Sequence, residues 1–199
     1  MRTNEMNQKI KYFILEFAID EDSKKTSTMC VLGYRQPTFE EAEEFWKEDC
    51  SRYGDEKLNA IYEIDSSQVF DDFHGFDMDD MATFPVFGTD RKTIVDILSD
   101  FATEAFKAFE AEMLGKTQKE IFDKAGEIYA KNEIHGYLCD CANEDLEGYE
   151  IKVLADLGTS VIEKLFQYYL DANGASVTYY SDITEWVEDF CEEAMKNEV

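Results

Sequence analysis

The sequence predicts an α+β fold, a small N-terminal β-β-α-β-α unit followed by a mainly α-helical bundle. Three observations carry that prediction. KIKYFILEFAI (9–19), STMCVLGY (27–34) and LNAIYEID (58–65) are rich in β-branched and aromatic residues and are bounded by polar clusters, as strands are. Beyond residue 90 the apolar residues recur at three- and four-residue spacing, the period of a helix. Only Pro37 and Pro85 interrupt the 199 residues, which leaves room for long helices.

The elements follow in order. DEDSKK after the first strand is turn-like, so the first two strands read as a hairpin. In PTFEEAEEFWKEDCSRYG, Thr38 and Glu41 form a capping-box pair, and Phe39, Ala42, Trp46, Cys50 and Tyr53 fall at helical spacing before Gly54. After the third strand, SSQVFDDFHG supplies one or two helical turns closed by Gly75. FDMDDMATFPVFGT breaks periodicity and holds Pro85 and Gly88, so the expected division is an α+β domain over 1–76, a linker over 77–89 and a helical domain over 90–199.

In the second half, Ile94, Leu98, Phe101, Ala105, Phe109 and Met113 form one stripe of a helix of about six turns. Thr117 and Glu120 repeat the capping box ahead of Ile121, Phe122, Ala125, Ile128 and Tyr129. Further helices are predicted over 144–157, ending at Gly158, and from Thr159 or Ser160 to Asn173-Gly174. ASVTYY (175–180) reads as a short strand or an extended connector. A last helix from Asp182 to about Met195 buries Ile183, Trp186, Val187, Phe190 and Ala194.

Charge is the outlying property. Nineteen Lys and Arg stand against 45 Asp and Glu, a formal net charge of −26. Self-repulsion on that scale opposes compaction, and it disfavours direct binding to DNA, RNA or anionic lipid, whose phosphates require cations. An acidic disordered chain would be poor in aromatics, whereas this one has 15 Phe, 11 Tyr and 2 Trp. A salt-adapted protein does not fit either, since Lys exceeds Arg and large aromatics are abundant. Five cysteines without framework spacing suit reduced thiols in a cytosol, and no apolar run approaches a signal peptide or a membrane span, so a cytoplasmic protein is expected.

Two stretches invite a chemical reading. VFDDFHGFDMDDM (69–81) offers Asp71, Asp72, Asp77, Asp79, Asp80 and His74. Calcium-loop spacing fails from every start, and a two-metal phosphoryl-transfer site would need cations that residues 58–90 do not contain. In HGYLCDCAN (135–143), His135, Cys139 and Cys141 lack the second ligand pair of a zinc knuckle. Nucleophile-elbow, phosphate-loop, dinucleotide and zincin motifs are all absent. Neither a cofactor nor a metal is expected, and no catalytic residue is assigned.

The distribution of acid is more informative. Lys and Arg are missing from three windows, 58–90, 132–151 and 165–195. On the last helix Glu185, Glu188, Asp189, Glu192 and Glu193 recur at i, i+3, i+4, i+7 and i+8 and so line one face. Carboxylates four residues apart are separated by about 6 Å along the axis, close to the spacing of successive phosphates. Glu40, Glu44 and Glu48 make a second row in the N-terminal unit.

In size, acidity, aromatic-rich core and lack of catalytic motifs, the chain resembles small inhibitors carried by phages and mobile elements against host defence, such as anti-CRISPR and antirestriction proteins. PTFEEAEEFWKED and AIYEIDSSQVFDDF are also similar to accessory proteins of gut-bacterial mobile elements. The resemblance lies in general character and carries no functional residue over. It implies a non-enzymatic inhibitor that occupies the basic channel of a nucleic-acid-binding protein, such as a CRISPR-Cas nuclease, by charge mimicry. The expected contact residues are the five carboxylates of the last helix, then Asp71, Asp72, Asp77, Asp79 and Asp80, with the Glu40, Glu44, Glu48 row beside them. The alternatives are a metal-dependent hydrolase built on the 71–80 aspartates, and an adaptor that binds through an apolar groove of the helical domain.

Overall fold

A computed structural model describes residues 9–18, 26–49, 57–65, 78–173 and 183–198. The fold is α+β: a three-stranded antiparallel sheet at the N-terminus is followed by helices. The chain divides into two compact units, 1–94 and 95–199.

In the first unit the strands are β1 (Lys11–Ala18), β2 (Thr26–Gly33) and β3 (Lys57–Ile64), in the order β2-β1-β3. β1 is central because it is the most apolar of the three, and Phe13, Ile14 and Leu15 are fully buried. Alternation sends Phe13, Leu15 and Phe17 to one face. There they meet Ala42, Phe45 and Trp46 of α1 (Phe39–Asp49), with the Trp46 ring stacked on Phe17. The predicted capping box forms: the Thr38 backbone N–H donates to Glu41 Oε2 at 2.8 Å, and the Glu41 N–H donates to Thr38 Oγ1 at 3.2 Å.

Residues 78–93, which the sequence divides between a linker and the start of the helical domain, hold a short helix and a hook on the sheet. Helix α2 (Met78–Thr83) buries Met81 and Ala82. The chain then runs beside the end of β2, where the Phe87 N–H donates to Leu32 O and the Tyr34 N–H donates to Phe87 O, both at 2.9 Å. Gly33 permits this approach, because a Cβ there would lie 2.7 Å from Arg35 O and 3.1 Å from Phe87 Cβ. Phe84 and Phe87 close the same core edge-on to Phe45.

The second unit holds α3 (Ile94–Leu114) from its second residue on, α4 (Gln118–Asp123), α5 (Ala125–Asp140), α6 (Ala142–Asp145), α7 (Gly148–Asp156), α8 (Val161–Asn173) and α9 (Ile183–Glu198). α3 and α5 run antiparallel, with Ser99 and Thr103 against Cys139, Phe106 against His135 and Phe109 against Lys131. α5 also packs on α8, and α9 packs on α7 and α8. Ile134, Leu138, Ile151, Leu154, Leu165, Val187 and Cys191 lie between them with almost no exposure.

Two expectations of continuous helix are corrected here. The run from Thr117 through Tyr129 is two helices broken at Lys124, whose backbone N–H is shared among the carbonyls of Glu120, Ile121 and Phe122. Ile121, Phe122, Ala125 and Tyr129 remain exposed, and the core face of α5 is Ala130, Ile134, Tyr137 and Leu138. The helix predicted over 144–157 is broken at Leu146 and Glu147, because Glu150 turns back to accept the Glu147 backbone N–H at 2.9 Å and starts α7 anew. Gly158, at φ +56°, ends that segment as expected. ASVTYY and the turns around SSQVFDDFHG fall outside the described residues. No helix among the described residues is long and apolar enough to cross a membrane.

Candidate acidic interface

Among the described residues the clearest concentration of charge lies in the second unit, where α9 packs on α7. α9 is amphipathic: Val187 and Cys191 are fully buried, while Glu185, Asp189, Glu192 and Glu193 are exposed and Glu188 is half-buried. The heptad-like spacing read from sequence therefore places the five carboxylates away from the core, as expected for i, i+3, i+4 relations. Lys196 is the cation in its last turn, and it is bound to Glu192 at 3.0 Å.

Folding adds a second acidic segment to this one. Glu144, Asp145, Glu147 and Glu150 occupy α6, the turn after it and the first turn of α7. Thr184 Oγ1 donates to Asp145 Oδ2 at 3.2 Å, and the Cys191 thiol points at Glu150 O at 3.8 Å, so the start of α9 and its middle are both tied to this segment. Two cation-free windows, 132–151 and 165–195, are thereby brought together. Lys152, the next cation along, is spoken for by Asp156 at 2.7 Å.

Groups beneath and beside this surface are shifted first by burial and then by its carboxylates. Glu150 is 6% exposed, and burial raises its pKa above the ordinary carboxylate value; the Glu147 N–H opposes that shift, while Glu188, Glu147 and Glu192 add to it. Tyr149 is pushed up to about 12, first by burial and then by Glu150 and Glu147. Tyr137 is also pushed up to about 12, chiefly by burial, with Asp145, Glu188 and Glu150 contributing. Tyr168 is raised by burial, then by Glu193 and Asp189. Carboxylates from three helices thus act on the same few groups.

The row on α1 is different in kind. Glu40, Glu44 and Glu48 are exposed as the helical spacing requires, but Glu48 is paired with Arg91 at 2.8 Å. Its neighbour Glu41 is clamped by both terminal nitrogens of Arg35. That guanidinium, followed by the Thr38 N–H, holds the Glu41 carboxyl down at about 2. Arginine therefore neutralises part of this surface, as it does not on α9.

Of the 71–80 aspartates, Asp71, Asp72 and Asp77 lie outside the described residues, as does His74. Asp79 and Asp80 fall on the backbone of α2. In HGYLCDCAN, Cys139 Sγ is 3.5 Å from His135 Nε2, one helical turn away, and the imidazole is stacked on Phe106 with ring centroids 4.6 Å apart. α5 ends at Asp140, so Cys141 caps the helix instead of continuing it, and its exposed thiol is not part of the half-buried His135–Cys139 pair. Among the described residues no group of three His, Cys, Asp or Glu side chains could hold a metal ion. Cys30, Cys139, Cys141 and Cys191 are thiols.

Two residues of the second unit, Glu150 in the acidic surface and Lys131 in the core, had no distinct sequence signal. Glu150 reads as one acid among many, and only its offset of three from Glu147 hints at a turned-back cap. Lys131, buried between α5 and α8, is marked only by its i, i+4 relation to Glu127. No family model, curated protein or solved structure matches the chain.

Proposed function

We propose that this protein is a non-enzymatic acidic inhibitor. It binds a basic nucleic-acid-binding protein, with a CRISPR-Cas nuclease as the leading candidate, and blocks nucleic-acid binding by charge mimicry. The observation that carries the reading is the meeting of two cation-free windows on α6, α7 and α9, where Glu185, Glu188, Asp189, Glu192 and Glu193 stand beside Glu144, Asp145, Glu147 and Glu150. Like charges at i, i+4 weaken a helix by a few tenths of a kcal/mol per pair. α9 holds three such pairs and one neutralising lysine, a sequence that helix stability alone does not favour. A basic channel that binds nucleic acid would release its counterions to this surface as it does to phosphates.

The test is a binding titration of the full chain against basic nucleic-acid-binding proteins, a Cas nuclease among them, from low to high salt with and without DNA or RNA. The expected result is an affinity that falls steeply with salt and a complex that excludes the nucleic acid. Binding indifferent to salt, with nucleic acid still bound, would falsify the proposal.

A further inference from the structure

The C-terminal half of α3, all of α4 and the first half of α5 surround an open groove of about 900 Å³. Phe106, Phe109, Met113, Ile121 and Ile128 line it. Its rim stands out into solvent: Leu114 is 87% exposed and Phe122 is 80% exposed. No side chain of α4 is buried, so this helix contributes apolar surface to the outside and none to the core. An apolar patch of this kind, rimmed by polar groups, marks an interaction surface.

Charge identifies what covers it. The chain as a whole carries −26, yet with the buried Lys131 set aside residues 107–131 hold four lysines (107, 116, 119 and 124) against five acids (110, 112, 120, 123 and 127) and are close to neutral. The remaining cations of residues 95–199 are Lys152, Lys164 and Lys196 alone. Two copies of so acidic a chain repel one another over most approaches. This face is where the repulsion is weakest, and a basic partner would be drawn elsewhere. Lys116 is paired with Glu112 and Lys124 with Glu127, but the side chains of Lys119 and the groove-lining Glu110 make no ion pair or hydrogen bond to another described residue. Phe122 projects beside a groove whose wall carries the unpaired Glu110, and the unpaired Lys119 lies one helical turn from Phe122 on α4, so the patch offers a second copy complementary features. A two-fold axis brings each feature onto its counterpart.

We infer that this face is a homodimer interface. Two copies pair about a two-fold axis with Phe122 and Leu114 of each seated in the groove of the other, and Lys119 of each facing Glu110 across the axis. The interface uses none of the carboxylates of α9, so it stands or falls independently of the inhibitor proposal.

Sedimentation velocity of the full chain over a wide concentration range, at low and high salt, tests this. The expected result is a monomer–dimer equilibrium that tightens with salt, as the mutual repulsion of the acidic surfaces is screened. Phe122→Asp changes a side chain that the folded monomer does not bury, so its circular dichroism, and its melting at concentrations where the parent is monomeric, should be unchanged while its dimer dissociation constant rises roughly thirtyfold or more. Lys119→Glu should weaken the dimer, and the double variant Lys119→Glu/Glu110→Lys should restore it, a rescue that unspecific apolar association does not give. A monomer at every concentration and salt, a dimer that Phe122→Asp leaves intact, or open-ended aggregation without a dimer plateau overturns the inference.

Discussion

Lys131 Nζ on α5 lies 2.6 Å from Glu163 Oε2 on α8, and the lysine side chain is only 7% exposed. The same ammonium is 2.8 Å from Glu127, 4.5 Å from the centroid of the Phe109 ring and 5.0 Å from that of Phe166. A cation in this position is tolerated because two carboxylates and two ring faces replace its water. It ties α3, α5 and α8 together in a unit where most of the charge is repulsive.

This gives the first prediction. Lys131→Ala removes the buried stem along with the charge, and should cost about 2–4 kcal/mol in urea denaturation. Lys131→Met fills the same space between Phe109 and Phe166 and leaves the carboxylates of Glu127 and Glu163 free to hydrate; it should cost much less, within about 1 kcal/mol. Equal losses in the two variants would show that the ion pair, and not the packing, is the main contribution.

A second prediction concerns Glu150, whose pKa burial raises above the ordinary 4.5. The sign follows from linkage: a carboxyl that is harder to ionise in the folded state has no cost below its unfolded pKa and penalises folding as pH rises through its folded value. Glu150→Gln keeps an acceptor for the Glu147 N–H while removing the charge. It should therefore be more stable than the parent near neutral pH, by about 1 kcal/mol, and the advantage should vanish below pH ~4.5. Chemical denaturation at a series of pH values reads this directly, and an advantage constant with pH would rule out the charge as its source.

Glu41 behaves in the opposite sense. Its pKa is depressed to about 2 by Arg35 and the Thr38 N–H, so its contribution is present above the unfolded value and lost as pH falls toward 2. The side chain is 37% exposed, which solvent screening discounts, and Glu41→Gln should cost no more than about 1 kcal/mol. The gap between parent and variant should close between pH ~4.5 and ~2. Thr38→Ala removes the other half of the box and should cost about 1 kcal/mol at every pH.

Much of this framework is legible in the sequence. The strands, the two capping boxes at Thr38 and Thr117, and the acidic face of the last helix all follow from local periodicity and short-range hydrogen bonds. What is not legible depends on long-range packing. Ile121, Phe122 and Tyr129 have helical spacing, but whether such a stripe faces a core or an open groove is decided by helices that the local sequence does not encode. Residues 144–157 read as one helix because the break at Glu147 needs only a side chain turning back on itself. The meeting of Glu147 and Glu150 with Glu188 and Glu192 is likewise tertiary, so the sequence identifies the carboxylates but not the group they form.

The last prediction sets stability against binding on α9. Glu185–Asp189, Glu188–Glu192 and Asp189–Glu193 are like-charge pairs at i, i+4, each destabilising by a few tenths of a kcal/mol. Replacing Glu185, Asp189, Glu192 and Glu193 with Gln or Asn should leave the core contacts of Val187 and Cys191 intact and stabilise the fold by about 1 kcal/mol. The same variant should bind a basic nucleic-acid-binding protein more weakly and with a shallower salt dependence, because fewer counterions are released. Gln at Glu40, Glu44 and Glu48 should have a smaller effect on the salt slope, since Arg91 already neutralises Glu48. A solvated face without a partner would gain the stability and lose nothing, so parallel melts and salt titrations on the two variants separate a ligand surface from a merely acidic one.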